Sequence, residues 1–199
     1  MTAQGAGLAS TPVDKGIEKF DEHRVVELAR RGDRSALADL YEYYFPRVYR
    51  YVAARLASTE DAEDVTTEVF LRVIDKLHTF RWRGAPFGAW VFRIAHNEVV
   101  SFVRRQKSRP GLLSLPEDFS EIIGEPDHAE AVERQFQIEE IRQASHRLPD
   151  AQRDVIALRF GSGLSTAETA MALGKTENTV KVLQHKGIAR LRQWIRKDE

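Results

Sequence analysis

Apolar residues in this chain recur at three- and four-residue steps and nowhere alternate over a useful length, so its ordered segments are expected to be helices, each with one buried stripe. Val25, Leu28 and Ala29 begin the pattern, and Leu37, Leu40, Tyr41 and Tyr44 continue it after a break at Gly32 and Asp33. A third helix starts near Ser58, which stands at capping-box spacing from Asp61. It carries Val65, Val69, Phe70, Val73, Ile74 and Leu77 on one side and acids on the other. The period fails in HTFRWRGAPF at Gly84 and Pro86, which predicts a loop. Pro86 is expected to open the next helix at its first turn and to be followed by a run to Gln106 that buries Trp90, Val91, Ile94, Val99 and Phe102 or Val103.

Charge divides the chain further. The total is neutral, with 30 Lys and Arg against 30 Asp and Glu. From Arg81 to Arg109, however, the only acid is Glu98, and from Lys181 to Lys197 there is none. Between these basic stretches, Glu117 to Glu140 is densely acidic and interspersed with Gly124 and Pro126. This pattern predicts an all-α protein of two small helical domains joined by an extended acidic linker. The expected units are a small, polar leader over 1–20, a helical domain over 21–107, the linker over 108–130, and a second domain over 131–199. In the second domain, helices are expected from Ala131 to Arg147 and from Pro149 to Phe160. A Gly-Ser-Gly turn follows, then two helices parted at Gly174.

That last pair carries the chemistry of a helix-turn-helix. The motif needs a small residue where the helices cross, a turn residue tolerant of positive φ, and an apolar lock. STAETAMALGKTENTVKVLQHKG supplies Ala170, Gly174 and Val180 in those places, with Ala167, Leu173 and Leu183 completing a small core. Ser165 and Glu168 form a capping box, and Thr176 can cap the second helix. The exposed face of that helix would present Thr176, Glu177, Asn178, Lys181, Gln184, His185 and Lys186, with Arg190 further along the basic tail. Polar side chains of this kind reach base edges in the major groove, and cationic ones neutralise phosphates.

Other classes fit less well. The six histidines are dispersed without metal-site spacing, and cysteine is absent, which removes thiolate ligands, disulfides and cysteine nucleophiles. Gly161 and Gly163 lie between helices rather than after a strand, and no Walker sequence occurs. No enzyme, cofactor or metal site is therefore expected. No stretch approaches a membrane span, and a cytoplasmic location is expected. Two non-enzymatic alternatives remain: an autonomous helix-turn-helix repressor or activator with a sensing domain, and an adaptor protein with a partner groove.

Four signatures in order, DAEDVTTEVFLRV, FGAWVFRIAHNEVVSFVRRQ, LPDAQRDVIALRF and the helix-turn-helix, resemble the extracytoplasmic-function group of the sigma-70 family. The resemblance implies a factor that binds core RNA polymerase and directs promoter-specific initiation at minus-10 and minus-35 elements. It assigns Asp61, Glu63, Asp64, Glu68, Phe70, Leu71 and Arg72 to the clamp helices of the largest polymerase subunit, with the flap of the second-largest subunit as a further partner. It implies minus-10 reading and melting by Phe80, Arg81, Trp82, Arg83 and Phe87 in the loop and by Arg93, His96, Asn97 and Arg104 on the helix, with Trp90 as core. It places minus-35 contacts at Lys181 and Lys186. Val182 and Leu183 depart from the family's common polar pattern, which leaves base preference open. An anti-sigma partner and no membrane insertion are also implied.

Overall fold

The computed structural model describes residues 20–56, 58–82, 84–108 and 144–195, and among them every regular element is helical. Helix α1 (Glu22–Arg30) starts where the Asp21 carboxylate accepts the Arg24 amide at 3.1 Å. It stops at Gly32, whose φ of +87° is open to glycine at no steric cost. Asp33 then caps α2 (Arg34–Ala53) by accepting the Ala36 amide at 3.0 Å, and α2 continues through Pro46. Helix α3 (Thr59–Lys76) begins at Ser58, whose hydroxyl accepts the Asp61 amide, and a single 3₁₀ turn (Leu77–Thr79) ends it. Helix α4 (Phe87–Lys107) has Pro86 at its cap, one residue before the expected position.

The C-terminal half contains α5 (Asp150–Ile156), a wide π turn (Ala157–Gly161), α6 (Thr166–Leu173) and α7 (Glu177–Ile195). The expected helix to Phe160 thus loses its α geometry after Ile156, and the Ser162 amide reaches back to the Ala157 carbonyl at 3.0 Å. Of the helix expected over Ala131–Arg147, only the stretch from Ala144 on is described; the remainder, the linker beyond Ser108 and the leader before Phe20 lie outside the described residues. In α6 the predicted capping box is present in both directions, and Gly174 ends the helix in the left-handed region at φ 61°.

Helices α1 to α4 enclose a core in which Tyr44, Tyr51, Phe87, Phe92, Val48 and Val69 are fully buried. Each such side chain contributes about 1.5–3 kcal/mol of burial. The stripe on α3 is corrected at Ile74, which is 52% exposed because it lies beside Leu71 rather than Val73. On α4, Val91, Ile94 and Val99 are buried as expected, with Phe92 and Ala95 added, while Trp90, Phe102 and Val103 pack partly buried against the core.

This core does not end with the N-terminal half. Ala157, Leu158, Leu164 and Ala172 belong to the same cluster, and α6 lies along α4. Two smaller clusters serve the C-terminal half alone. Val155, Ala170 and Val180 join Leu173 and Leu183 inside the helix-turn-helix. Ala144, Leu148, Ile156 and Leu191 join Ile188 and Trp194 further down. Gly187 permits the second contact, since a Cβ there would stand 3.0 Å from Ile156 Cγ1.

Candidate nucleic-acid interface

The recognition-type helix α7 is held by local determinants. Thr176 Oγ1 accepts the Thr179 amide at 3.2 Å, which satisfies one of the first-turn donors, and Val180 is fully buried. With Val180 fixed inward, helical spacing turns Thr176, Glu177, Asn178, Lys181, His185, Lys186 and Arg190 outward, and all are exposed. Gln184 is the exception: it is half-buried and its amide oxygen accepts from Arg159 Nε at 3.1 Å. Arg190 is exposed but reaches sideways, donating to Gln152 Oε1 at 3.1 Å. Val182 is 44% exposed on the same surface, whereas Leu183 turns into the small core.

A second basic surface runs along α4. Arg93, Asn97 and Arg104 are exposed, and Arg105 and Lys107 extend the row toward the C-terminus. Cations at that end are also favoured by the helix dipole. His96 does not join them; it is half-buried and its Nδ1 lies 2.9 Å from the Tyr51 hydroxyl.

The loop before α4 requires two corrections. Phe80 and Phe87 are buried, 3% and 0% exposed, with ring centroids 5.1 Å apart in an edge-on pair. In this arrangement they cannot wall an open base pocket; they form a floor beneath the loop, because aromatics that begin and end a short loop are the residues its core can use. Trp82 stands on that floor, 4.9 Å from Phe80, half-buried. Its indole N–H donates to Glu27 Oε1 at 2.9 Å, and its ring stacks on His23 at 4.7 Å. Hydrogen bonds from Trp82 and then Arg30 hold the Glu27 carboxyl below the ordinary glutamate range, outweighing desolvation. Helix α1 therefore positions the loop, a contribution for which the sequence held no local signal. Arg81 is exposed, and its guanidinium donates to the carbonyls of His78 and Phe80 at 2.8 and 2.9 Å. Arg83 lies outside the described residues.

On α3, Glu63, Asp64, Glu68 and Leu71 are exposed, and Asp61 is half-exposed and accepts from Gln106 Nε2 at 3.0 Å. Arg72 is partly exposed between Glu68 at 3.2 Å and Glu98 at 2.9 Å. Phe70 is a third correction: at 6% exposure it faces the core and touches Tyr41 and Phe45. The apolar part of this surface is instead Leu71, 59% exposed, and Ile74. Acids beside protruding apolar side chains form a surface suited to a basic helical partner.

Among the described residues there is no group of three side chains able to hold a metal ion, and no helix is long and apolar enough to cross a membrane.

Sigma-70 region 2 matches residues 40–109 and sigma-70 region 4 matches residues 146–193. The chain is 38% identical over 181 residues to the ECF RNA polymerase sigma factor SigD of Mycobacterium tuberculosis, with 86% of this chain and 82% of that protein covered. It is 34% identical over 175 residues to the ECF RNA polymerase sigma factor BldN of Streptomyces coelicolor, with 87% of this chain and 66% of the relative covered. Its fold is similar to that of CnrH in complex with the cytosolic domain of CnrY, with a TM-score of 0.67, 20% identity, and coverage of 89% and 99% of the two chains. It is also similar to that of the Bartonella quintana sigma factor RpoE in complex with the anti-sigma factor NepR, with a TM-score of 0.65, 21% identity, and coverage of 81% and 98%.

Proposed function

The chain belongs to the extracytoplasmic-function group of the sigma-70 family, and from that premise we propose how its own residues direct transcription initiation. The acidic and apolar face of α3, with Glu63, Asp64, Glu68, Leu71 and Arg72 at its centre and Ile74 added, docks on the clamp helices of the largest polymerase subunit. The C-terminal half meets the flap of the second-largest subunit. Helix α7 enters the major groove of the minus-35 element, where Asn178, Lys181 and His185 face base edges and Lys186 neutralises phosphate. Arg93, Asn97 and Arg104 track the strand released at the minus-10 element, and Trp82 offers an aromatic plane on which an unpaired base stacks.

The observation that carries this reading is the pair of exposed basic helical faces, one on a capped helix-turn-helix and one on α4 beside a supported tryptophan. No bond-making step is required of the chain, so it acts as a binding factor in the compartment of the polymerase, the cytoplasm. The units proposed are residues 21–107 for polymerase binding and the minus-10 element, and 131–199 for the minus-35 element, with 108–130 joining them. One structural neighbour was captured with the anti-sigma factor NepR and another with the cytosolic domain of CnrY, which supports an anti-sigma protein as a further partner here.

Transcription in vitro with purified core polymerase on a library of genomic fragments tests the whole reading. Discrete run-off starts sharing two spaced sequence elements are the expected result. Sequence-specific duplex binding by the chain alone, with no polymerase-dependent transcript, would instead establish an autonomous repressor.

A further inference from the structure

One residue of α7 does not match the surface on which it stands. Val180, fully buried, fixes which side of the helix faces inward. At about 100° per residue, Asn178, Val182 and His185 then fall within about 40° of the point opposite Val180, with Lys181 and Lys186 on the two flanks. Val182 thus occupies the middle of the outward face, one turn after Asn178 and one turn before His185. Its neighbours at one turn, Asn178, Thr179, His185 and Lys186, are polar and exposed, so no apolar side chain among them covers it. Thr179 is in addition drawn back to Thr176, the two hydroxyl oxygens standing 2.8 Å apart. Gln184 and Arg190 are engaged sideways, with Arg159 and Gln152.

Solvation does not account for a valine here. β-branching makes it a poorer helix former than Ala, Lys, Gln or Arg, so a face meant only for water gains nothing from it. Against DNA its effect is selective. A valine side chain neither donates nor accepts, so a guanine O6, cytosine N4 or adenine N6 pressed against it loses water and finds no replacement. Of the four bases, only thymine shows a methyl group in the major groove.

We propose that Val182 is a specificity-determining residue that selects thymine at one position of the minus-35 element by packing against its 5-methyl group. The inference deepens the sigma-factor reading above and rests on it, since α7 must lie in the major groove. Asn178 and His185 are about 10 Å apart along the helix axis, the length of about three stacked base pairs, and the selected thymine lies among the pairs they span. Because the contact recognises a methyl group and no hydrogen-bonding edge, 5-methylcytosine satisfies it where cytosine does not.

The test uses the full chain with core polymerase on a promoter whose minus-35 element has been mapped by transcription in vitro. Each thymine of that element, on either strand, is replaced singly by deoxyuridine, which removes the methyl group and keeps the pairing edge. At one position the change should weaken holoenzyme binding by about fourfold, the worth of one buried methyl. With Val182→Ser that difference should vanish. Serine matches valine in helix propensity, and the site is 44% exposed, so the swap leaves α7 intact. Val182→Gln, a better helix former without a methyl group, should behave alike and decides the matter if far-UV circular dichroism shows the serine variant unfolded. At the same position 5-methylcytosine, paired with guanine, should bind the natural holoenzyme about fourfold more tightly than cytosine does, and the serine variant equally. A minus-35 element without thymine would overturn the assignment, as would the lack of any deoxyuridine effect. An effect of unchanged size in both variants would overturn it too, giving the methyl contact to another residue. Absence of every polymerase-dependent transcript from the unaltered chain would count against the sigma-factor reading instead.

Discussion

Individual side chains set the sharpest expectations. The Arg55 guanidinium, through its hydrogen bond and then its charge, holds the Asp150 carboxyl below the ordinary aspartate range against a smaller desolvation effect. A depressed carboxyl stabilises the fold above the unfolded value near pH 4, and that contribution is lost as pH falls through the folded value. Urea midpoints at pH 7 and pH 3 should therefore converge more closely for Asp150→Asn than for the natural chain, by an amount kept small because the Asp150 side chain is 63% exposed. At the minus-10 surface, Trp82→Ala should reduce permanganate reactivity of unpaired promoter thymines in the polymerase complex while leaving minus-35 duplex binding unchanged. Lys186→Ala should weaken that duplex binding and lower its salt slope by about 1, as the loss of one phosphate contact requires. The Trp82 arrangement was only half legible in the sequence. An aromatic residue among arginines signals nucleic-acid chemistry, but its hydrogen bond to Glu27, 55 residues earlier, has no local trace.

Among the elements, the helix-turn-helix was the most readable because its determinants are close neighbours in the chain. The Ser165–Glu168 box, Gly174 and the Val180 lock each act within a few residues, and each is present as expected. Ser165→Ala should lower stability by about 1 kcal/mol, read from thermal or urea unfolding, with a smaller effect on DNA binding since the α7 face is untouched. Helix α4 was legible for the same reason, through its period. The loop preceding it was not: its aromatic residues lie outside any period, so the sequence could not tell Phe80 and Phe87, which sink into the core, from Trp82, which stays partly outside. The π turn after Ile156 had no sequence signal either, since ALRFG continues a helical apolar pattern until Gly161.

For the molecule as a whole, local reading supplied two helical halves and missed their union. Tyr51 and Asp154 are 103 residues apart, and a tyrosine and an aspartate at helical positions suggest only ordinary solvated residues until folding brings them together. The shared apolar cluster has a thermodynamic consequence. The free chain should melt in one calorimetric transition, whereas Tyr51→Phe or Asp154→Asn should separate it into two. The arrangement of α7 carries a mechanical consequence as well. Its first turns carry the side chains proposed to read DNA, whereas Leu191 and Trp194 at its rear are bedded against Ala144 and Leu148. A displacement of the rear of the helix would turn about the Gly187–Ile156 contact between the two ends and tilt its front.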